Sequence, residues 1–243
     1  MLQLNSPHFA SEASKAIQTG QVSSRVSPWL ENILYPLGRH VVLPSFFGHL
    51  EVRGQEHLPQ DRSPLILAAT HRSRWDALIV PYVAGRDITG RHLRFMVSAN
   101  EVTGLQGWFI RHLGGFAVNP EHPTISSLRH GLEILQARET LVIFPEGNIF
   151  RDRDLHPLKP GLARLALQAE SSQANLCLKI VPIHITYSEP VPHWGCDVSV
   201  NIGTPIPAAD YRTGSTKQEA QRLTADLTTA LSQLGDYEST SES

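Results

Sequence analysis

From about Glu51 onward, short runs rich in β-branched and apolar residues alternate with stretches whose apolar residues recur at helical spacing. That alternation limits the fold more than any other feature of the chain. The runs Pro64 to Thr70, Leu93 to Ser98, Thr140 to Phe144, Leu178 to Tyr187 and Asp197 to Ile202 are expected strands. Between them, Trp75 to Val83, Thr124 to Ala137 and Leu162 to Ala169 follow the helical period of about 3.6 residues. Ile125, Leu128, Leu132 and Leu135 are predicted to form one apolar stripe. A terminal helix is expected from Thr216 to Leu234, where Leu223, Leu227 and Leu231 stand four apart. Strands alternating with helices bury their apolar faces as stacked layers, so the expected class is α/β.

Ahead of this core, Ser27 to Leu50 is dense in large apolar side chains, among them Trp29, Ile33, Leu37, Val41 and Phe46, and is cut by Pro36 and Pro44. Proline removes an amide donor and ends or kinks a helix, so the segment reads as short helical pieces. Two placements stay open. The pieces lie on a membrane surface with Trp29 and Tyr35 near the headgroups, or they pack on the core. The stretch Trp108-Phe109-Ile110, beside Arg111 and His112, leaves the same choice. The expected organisation is a polar start and apolar helical membrane-contact region over residues 1–50, one domain over 51–235 and a disordered tail over 236–243.

Composition sets the outer limits. With 41% hydrophobic residues the chain has material for a sizeable core. A formal charge of -2 offers no basic excess, so binding to nucleic acid through a generally basic surface has nothing in its favour, while local basic clusters stay open. Cys177 and Cys196 alone make no disulfide framework, and a reducing compartment fits them. Met1 to Gly20 lacks the apolar stretch of a secretory signal, so no export is expected. No uncharged apolar run reaches the roughly 20 residues that cross a bilayer. The twelve histidines show no clustered ligand spacing, and neither metal nor cofactor is expected.

Three segments carry groups suited to chemistry. In Ala69-Thr70-His71-Arg72-Ser73-Arg74-Trp75-Asp76, which follows an apolar strand, His71 and Asp76 would diverge by about 140° on a regular helix. They meet only if His71 sits in the strand-to-helix turn and Asp76 in the first helical turn. The carboxylate then binds one ring nitrogen and leaves the other as a base for a hydroxyl. The plainer alternative is an Asp at a helix N-terminus beside a hydrogen-bonded turn His. In Phe144-Pro145-Glu146-Gly147, Pro145 and Gly147 impose a tight turn that holds Glu146 at a strand end, where it is functional or caps a neighbouring helix. In Leu158-Lys159-Pro160-Gly161, Lys159 either meets an anion with the amides of the next helix or is solvated.

Together these segments resemble the glycerolipid acyltransferase family, whose best-known members acylate 1-acylglycerol 3-phosphate to phosphatidic acid. His71 and Asp76 match its His-x-x-x-x-Asp motif, Phe144 to Gly147 its Phe-Pro-Glu-Gly motif, and Ile180-Val181-Pro182-Ile183 its proline-bearing apolar strand. Lys159-Pro160-Gly161 with Leu165-Ala166 is similar to its Lys-x-Gly and following helix. The resemblance covers about residues 50 to 210. It implies a mixed, largely parallel central sheet flanked by helices, and a donor that is acyl-CoA or acyl-carrier protein. It implies His71 as general base oriented by Asp76, and a lysolipid acceptor contacted by Glu146, Gly147, Arg151 and Arg74. Lys159 and Arg72 are expected to bind donor or phosphate, and the location is the cytoplasmic face of a membrane, peripheral or monotopic.

The match departs in two places. The family's second motif ends in an arginine that binds acceptor phosphate, whereas Gly115 to Pro120 places Asn119 there, a residue without charge. The third motif continues Asn148-Ile149-Phe150-Arg151, moving its arginine two positions on. Arg151, Arg72, Arg74 or Arg94 supplies the missing charge, or the acceptor lacks a phosphomonoester. A phosphate-bearing lysolipid is the expected substrate. Two further readings are a serine hydrolase using Ser73, disfavoured because the chain has no Gly-x-Ser-x-Gly elbow, and a non-catalytic membrane lipid carrier.

Overall fold

The computed structural model describes residues 28–98, 114–118 and 124–239; Asn119, the 108–112 stretch, the polar start and the last four residues lie outside them. The N-terminal pieces are α1 (Pro28–Leu37), a π-helical turn (Gly38–Val42) and α2 (Leu43–Phe46). There follow β1 (Leu50–Arg53), β2 (Leu65–Ala69), α3 (Asp76–Ala84), α4 (Arg86–Thr89), β3 (Leu93–Ser98), β4 (Gly115–Val118), α5 (Ile125–Gln136) and β5 (Thr140–Ile143). The chain continues with α6 (Gly161–Ser172), β6 (Lys179–Tyr187), β7 (Val198–Ile202), β8 (Ile206–Pro207) and α7 (Thr216–Ser239). All five expected strands form, and the short β1, β4 and β8 join them.

The strands make one mixed, largely parallel sheet in the order β1-β7-β6-β2-β5-β3-β4, with β8 on β6. The central pairs β2–β6, β2–β5, β5–β3 and β3–β4 are parallel, while β7 and β8 run antiparallel to β6. Parallel strands covered on both faces read as continuous apolar runs, as β2 does. Ile66, Ala68, Leu141, Ile143 and Ile180 face α5, α6 and α7, whose Leu135, Leu165, Leu223, Leu227 and Leu231 are buried with them. The alternate residues Leu67, Ala69, Val142, Val181 and Ile183 face α3 and α2, together with Ile79, Val83, Leu43 and Phe47.

Pro182 occupies the middle of β6, where a missing amide ordinarily breaks a ladder. Here its carbonyl faces away from β2 and accepts from Gly203 N–H at 2.9 Å. On that side β8 pairs with residues 179–180 and β7 with 183–187, so proline falls at the junction of the two and no ladder bond is lost.

Two expectations change. The buried face of α5 is Ser127, Gly131, Ile134 and Leu135, whereas Ile125 is 87% exposed, because it is the first helical residue and points past the end of the sheet-facing stripe. The terminal helix continues five residues beyond Leu234. In the N-terminal pieces, Leu43 and Phe47 pack on the core while Ile33, Leu37 and Val41 are 56%, 43% and 52% exposed. Among the described residues no helix is long and apolar enough to cross a membrane.

Candidate active site

Neighbouring parallel strands deliver their following loops to the same edge of a sheet. β2 and β5 are such neighbours, with Ala68 opposite Ile143. His71 lies three residues beyond the first and Glu146 three beyond the second, so the two loops meet at one level. His71 N–H donates to Glu146 Oε1 at 3.0 Å, and Phe150 N–H donates to the His71 carbonyl at 2.9 Å. The imidazole stacks on the Phe144 ring with centroids 4.0 Å apart.

Asp76 is the first residue of α3, and its buried carboxylate turns back over the 71–73 turn. Its Oδ2 accepts from Arg72 N–H at 2.7 Å, Ser73 N–H at 2.9 Å and His71 Nδ1 at 2.9 Å. Its Oδ1 accepts from the Tyr187 hydroxyl at 2.7 Å. Burial, and then the Asp76 charge, push the Tyr187 phenol far above its ordinary value, so it stays protonated and donates. An ionised carboxylate only accepts, so Nδ1 of His71 carries the proton and Nε2 keeps its lone pair. The His71 side chain is 19% exposed, which leaves the ring edge bearing Nε2 open to a substrate proton. The turn placement of His71 is the one condition under which the pair meets, and it is met.

Glu146 and Arg72, expected at the acceptor and at donor or phosphate, are joined to each other. Both are buried, and Arg72 Nη1 donates to both Glu146 oxygens at 2.9 and 3.0 Å. Glu146 Oε2 also takes His156 N–H at 3.1 Å, and Arg72 Nη2 reaches the Asp154 carbonyl at 3.2 Å. The two side chains form a buried ion pair that ties the His71 turn to the loop after β5. Neither charge could be buried alone at that depth.

The remaining candidates surround this pair. Gly147 has φ +76°, and a Cβ there would lie 2.8 Å from Lys159 Cε, so the glycine lets the lysine stem cross the turn. Lys159 N–H donates to the Pro145 carbonyl at 2.8 Å, which docks the start of α6 onto the same turn. Arg74 is exposed on the turn before α3. Arg151 lines a cleft of ≈ 200 Å³ together with Arg72 and Tyr187. Arg94 is held by Glu139 at 2.5 Å at the opposite end of the strands, away from the site. Ser73 Oγ accepts from Trp75 N–H at 3.3 Å, which leaves the hydrolase reading without a serine aimed at His71. Tyr187 was not legible in the sequence. Its phenol reaches Asp76 across 111 residues only because β6 lies beside β2.

A protein-family model described as acyltransferase matches residues 49–186, more than half of the chain. A 1-acyl-sn-glycerol-3-phosphate acyltransferase of Streptococcus pneumoniae is 26% identical over 178 residues, covering 71% of this chain and 61% of that protein. One of Bacillus subtilis is 29% identical over 126 residues, covering 51% of this chain and 60% of that protein. The chain thus spans about three fifths of the length of these curated relatives. The crystal structure of the 1-acyl-sn-glycerophosphate (LPA) acyltransferase PlsC from Thermotoga maritima has the same fold, with a TM-score of 0.61 at 18% identity over 84% of this chain and 78% of that one.

Proposed function

This chain belongs to the acyltransferase family, and we propose that it moves a fatty acyl group from acyl-CoA or acyl-carrier protein to the free hydroxyl of a lysophospholipid. The names of its relatives give 1-acylglycerol 3-phosphate as the reference acceptor, with phosphatidic acid as product. The observation that carries the reading is the 2.9 Å contact between His71 Nδ1 and Asp76 Oδ2, which leaves Nε2 as a base.

In this mechanism Nε2 takes the proton of the acceptor hydroxyl as its oxygen attacks the thioester carbonyl. Asp76 stabilises the imidazolium that forms, and Tyr187 with the 72–73 amides fixes the carboxylate. The tetrahedral intermediate collapses by breaking the carbon–sulfur bond, and the imidazolium returns its proton to the departing thiolate. Glu146 and Arg72 act as positioning residues through the backbone of His71. Gly147, Lys159, Arg74 and Arg151, grouped about this turn, bind the anionic parts of the two substrates.

A peripheral or monotopic seat on the cytoplasmic face of a membrane completes the proposal. Ile33, Leu37 and Val41, four residues apart on successive helical turns, offer an exposed apolar stripe of the kind that enters the headgroup boundary. Both cysteines are free, which suits a reducing compartment.

Thiol release from acyl-CoA on addition of lysolipid tests the reaction. His71→Ala is expected to lower it about 100- to 10,000-fold with the melting temperature kept, the range set by removal of one general base. Near-normal turnover in that variant ends the proposal, and thiol release independent of acceptor marks a hydrolase.

A further inference from the structure

We propose that the cleft beside the His71–Asp76 pair seats the acceptor head group and is built for a zwitterionic one, a phosphodiester bearing an ammonium, in preference to a bare phosphomonoester. The reaction served rests on the acyl-transfer reading, whereas the ligand class rests on the charges of the cleft.

The cleft, of ≈ 200 Å³, lies between residues 151–153 and the end of β6 with the residues after it. Its inner wall is Tyr187 and Arg72, the same two side chains that bind Asp76 and Glu146. A ligand seated there is separated from the His71–Asp76 pair by the Tyr187 side chain, whose hydroxyl holds Asp76. Arg72 brings no net charge, because Glu146 neutralises it at 2.9 Å. Asp152 accepts from His156 Nε2 at 2.9 Å and places a carboxylate on the cleft wall.

Beside Asp152 the rim carries Arg151, Arg153 and Glu189, all exposed. None of the three forms an ion pair with a described residue, although the paired charges around them do. Two guanidinium groups offer planar forks for phosphate oxygens, and the Ser188 hydroxyl on the same wall adds a donor. Glu189, with Asp152 on the facing wall, decides between phosphates. It stands against the second negative charge of a phosphomonoester, which carries about -1.5 to -2 at neutral pH. It suits an ammonium attached through a phosphodiester, whose single negative charge the arginines hold.

The experiment uses the intact chain and two water-soluble probes below their micelle concentrations, octanoyl lysophosphatidylethanolamine and octanoyl lysophosphatidic acid, titrated by calorimetry. The zwitterionic probe is expected to bind about fivefold more tightly or better, the scale of one partly exposed charge pair. Glu189→Gln should shrink that preference at least about twofold, and Arg151→Gln should weaken both probes by a similar factor, with octanoylglycerol binding more weakly than either to the wild type. Tighter binding of the phosphomonoester by the wild type, a preference untouched by Glu189→Gln, or no binding of either probe overturns the proposal. A parallel turnover assay with oleoyl-CoA separates the two ideas. Preferential binding without acyl transfer supports the seat and sinks the reaction, whereas transfer to lysophosphatidic acid with no preference at Glu189 does the reverse.

Discussion

Asp76→Asn removes one unit of charge from the centre of the site and leaves its shape. Three donors meet Oδ2, from His71 Nδ1 and the amides of Arg72 and Ser73, and one meets Oδ1, from Tyr187. An asparagine that keeps its oxygen toward the three presents its amide to the Tyr187 hydroxyl, which rotates to accept, so every hydrogen bond survives. His71 keeps its tautomer and Nε2 its lone pair. What disappears is the ion pair that forms when the ring takes up a proton. Two unit charges about 4 Å apart at an effective dielectric near 20 interact by about 4 kcal/mol. The surviving neutral hydrogen bond retains about 1 kcal/mol of this. The remaining 3 kcal/mol or so predicts a fall in kcat of about 100- to 200-fold, with both KM values held within about twofold because ground-state contacts persist. Steady-state thiol release from acyl-CoA with a lysolipid acceptor measures it, and thermal melting monitors the fold. A kcat within about fivefold of wild type would mean that no charge develops on His71 in the transition state, and would refute the reasoning.

Glu146→Gln strands Arg72 as an unpaired buried charge, a loss of about 3–5 kcal/mol. For a chain of this size that lowers the melting temperature by about 10 °C while the acceptor KM of the folded protein holds; a large rise in KM with unmoved melting would return Glu146 to the acceptor. Replacing Ile33, Leu37 and Val41 together by serine should weaken sedimentation with phospholipid vesicles at least about tenfold and spare turnover of a short-chain soluble acceptor; undiminished sedimentation would remove the docking role.

How far the sequence exposes this site depends on the distance over which each contact is made. His71 and Asp76 are five residues apart, and a helix between them fails, so the turn geometry follows from local stereochemistry. The pairing of Arg72 with Glu146 spans 74 residues and depends on the register of β2 against β5. A charged residue next to a catalytic motif looks in sequence like a ligand contact, and only burial reveals its partner. The central strands were legible because both their faces are apolar, whereas β1 and β4, four residues each at the sheet edges, offer too short a pattern. Ile125 falls on the apolar stripe by spacing yet is exposed, because periodicity finds the direction of an apolar face but not where the neighbouring layer stops.

The level meeting of the loops after β2 and β5 bears on which lengths of chain can vary. Adding or deleting one residue between Leu65 and His71, or between Thr140 and Glu146, would slide one loop past the other by about 3.3 Å and turn its side chains to the opposite face. The segment after Glu146 is pinned at Phe150, Asp154 and His156, which bind the His71 carbonyl, Arg72 and Glu146, so the stretch with room for insertion is 151–153 on the cleft wall, while the spans that feed the reacting groups stay fixed in length.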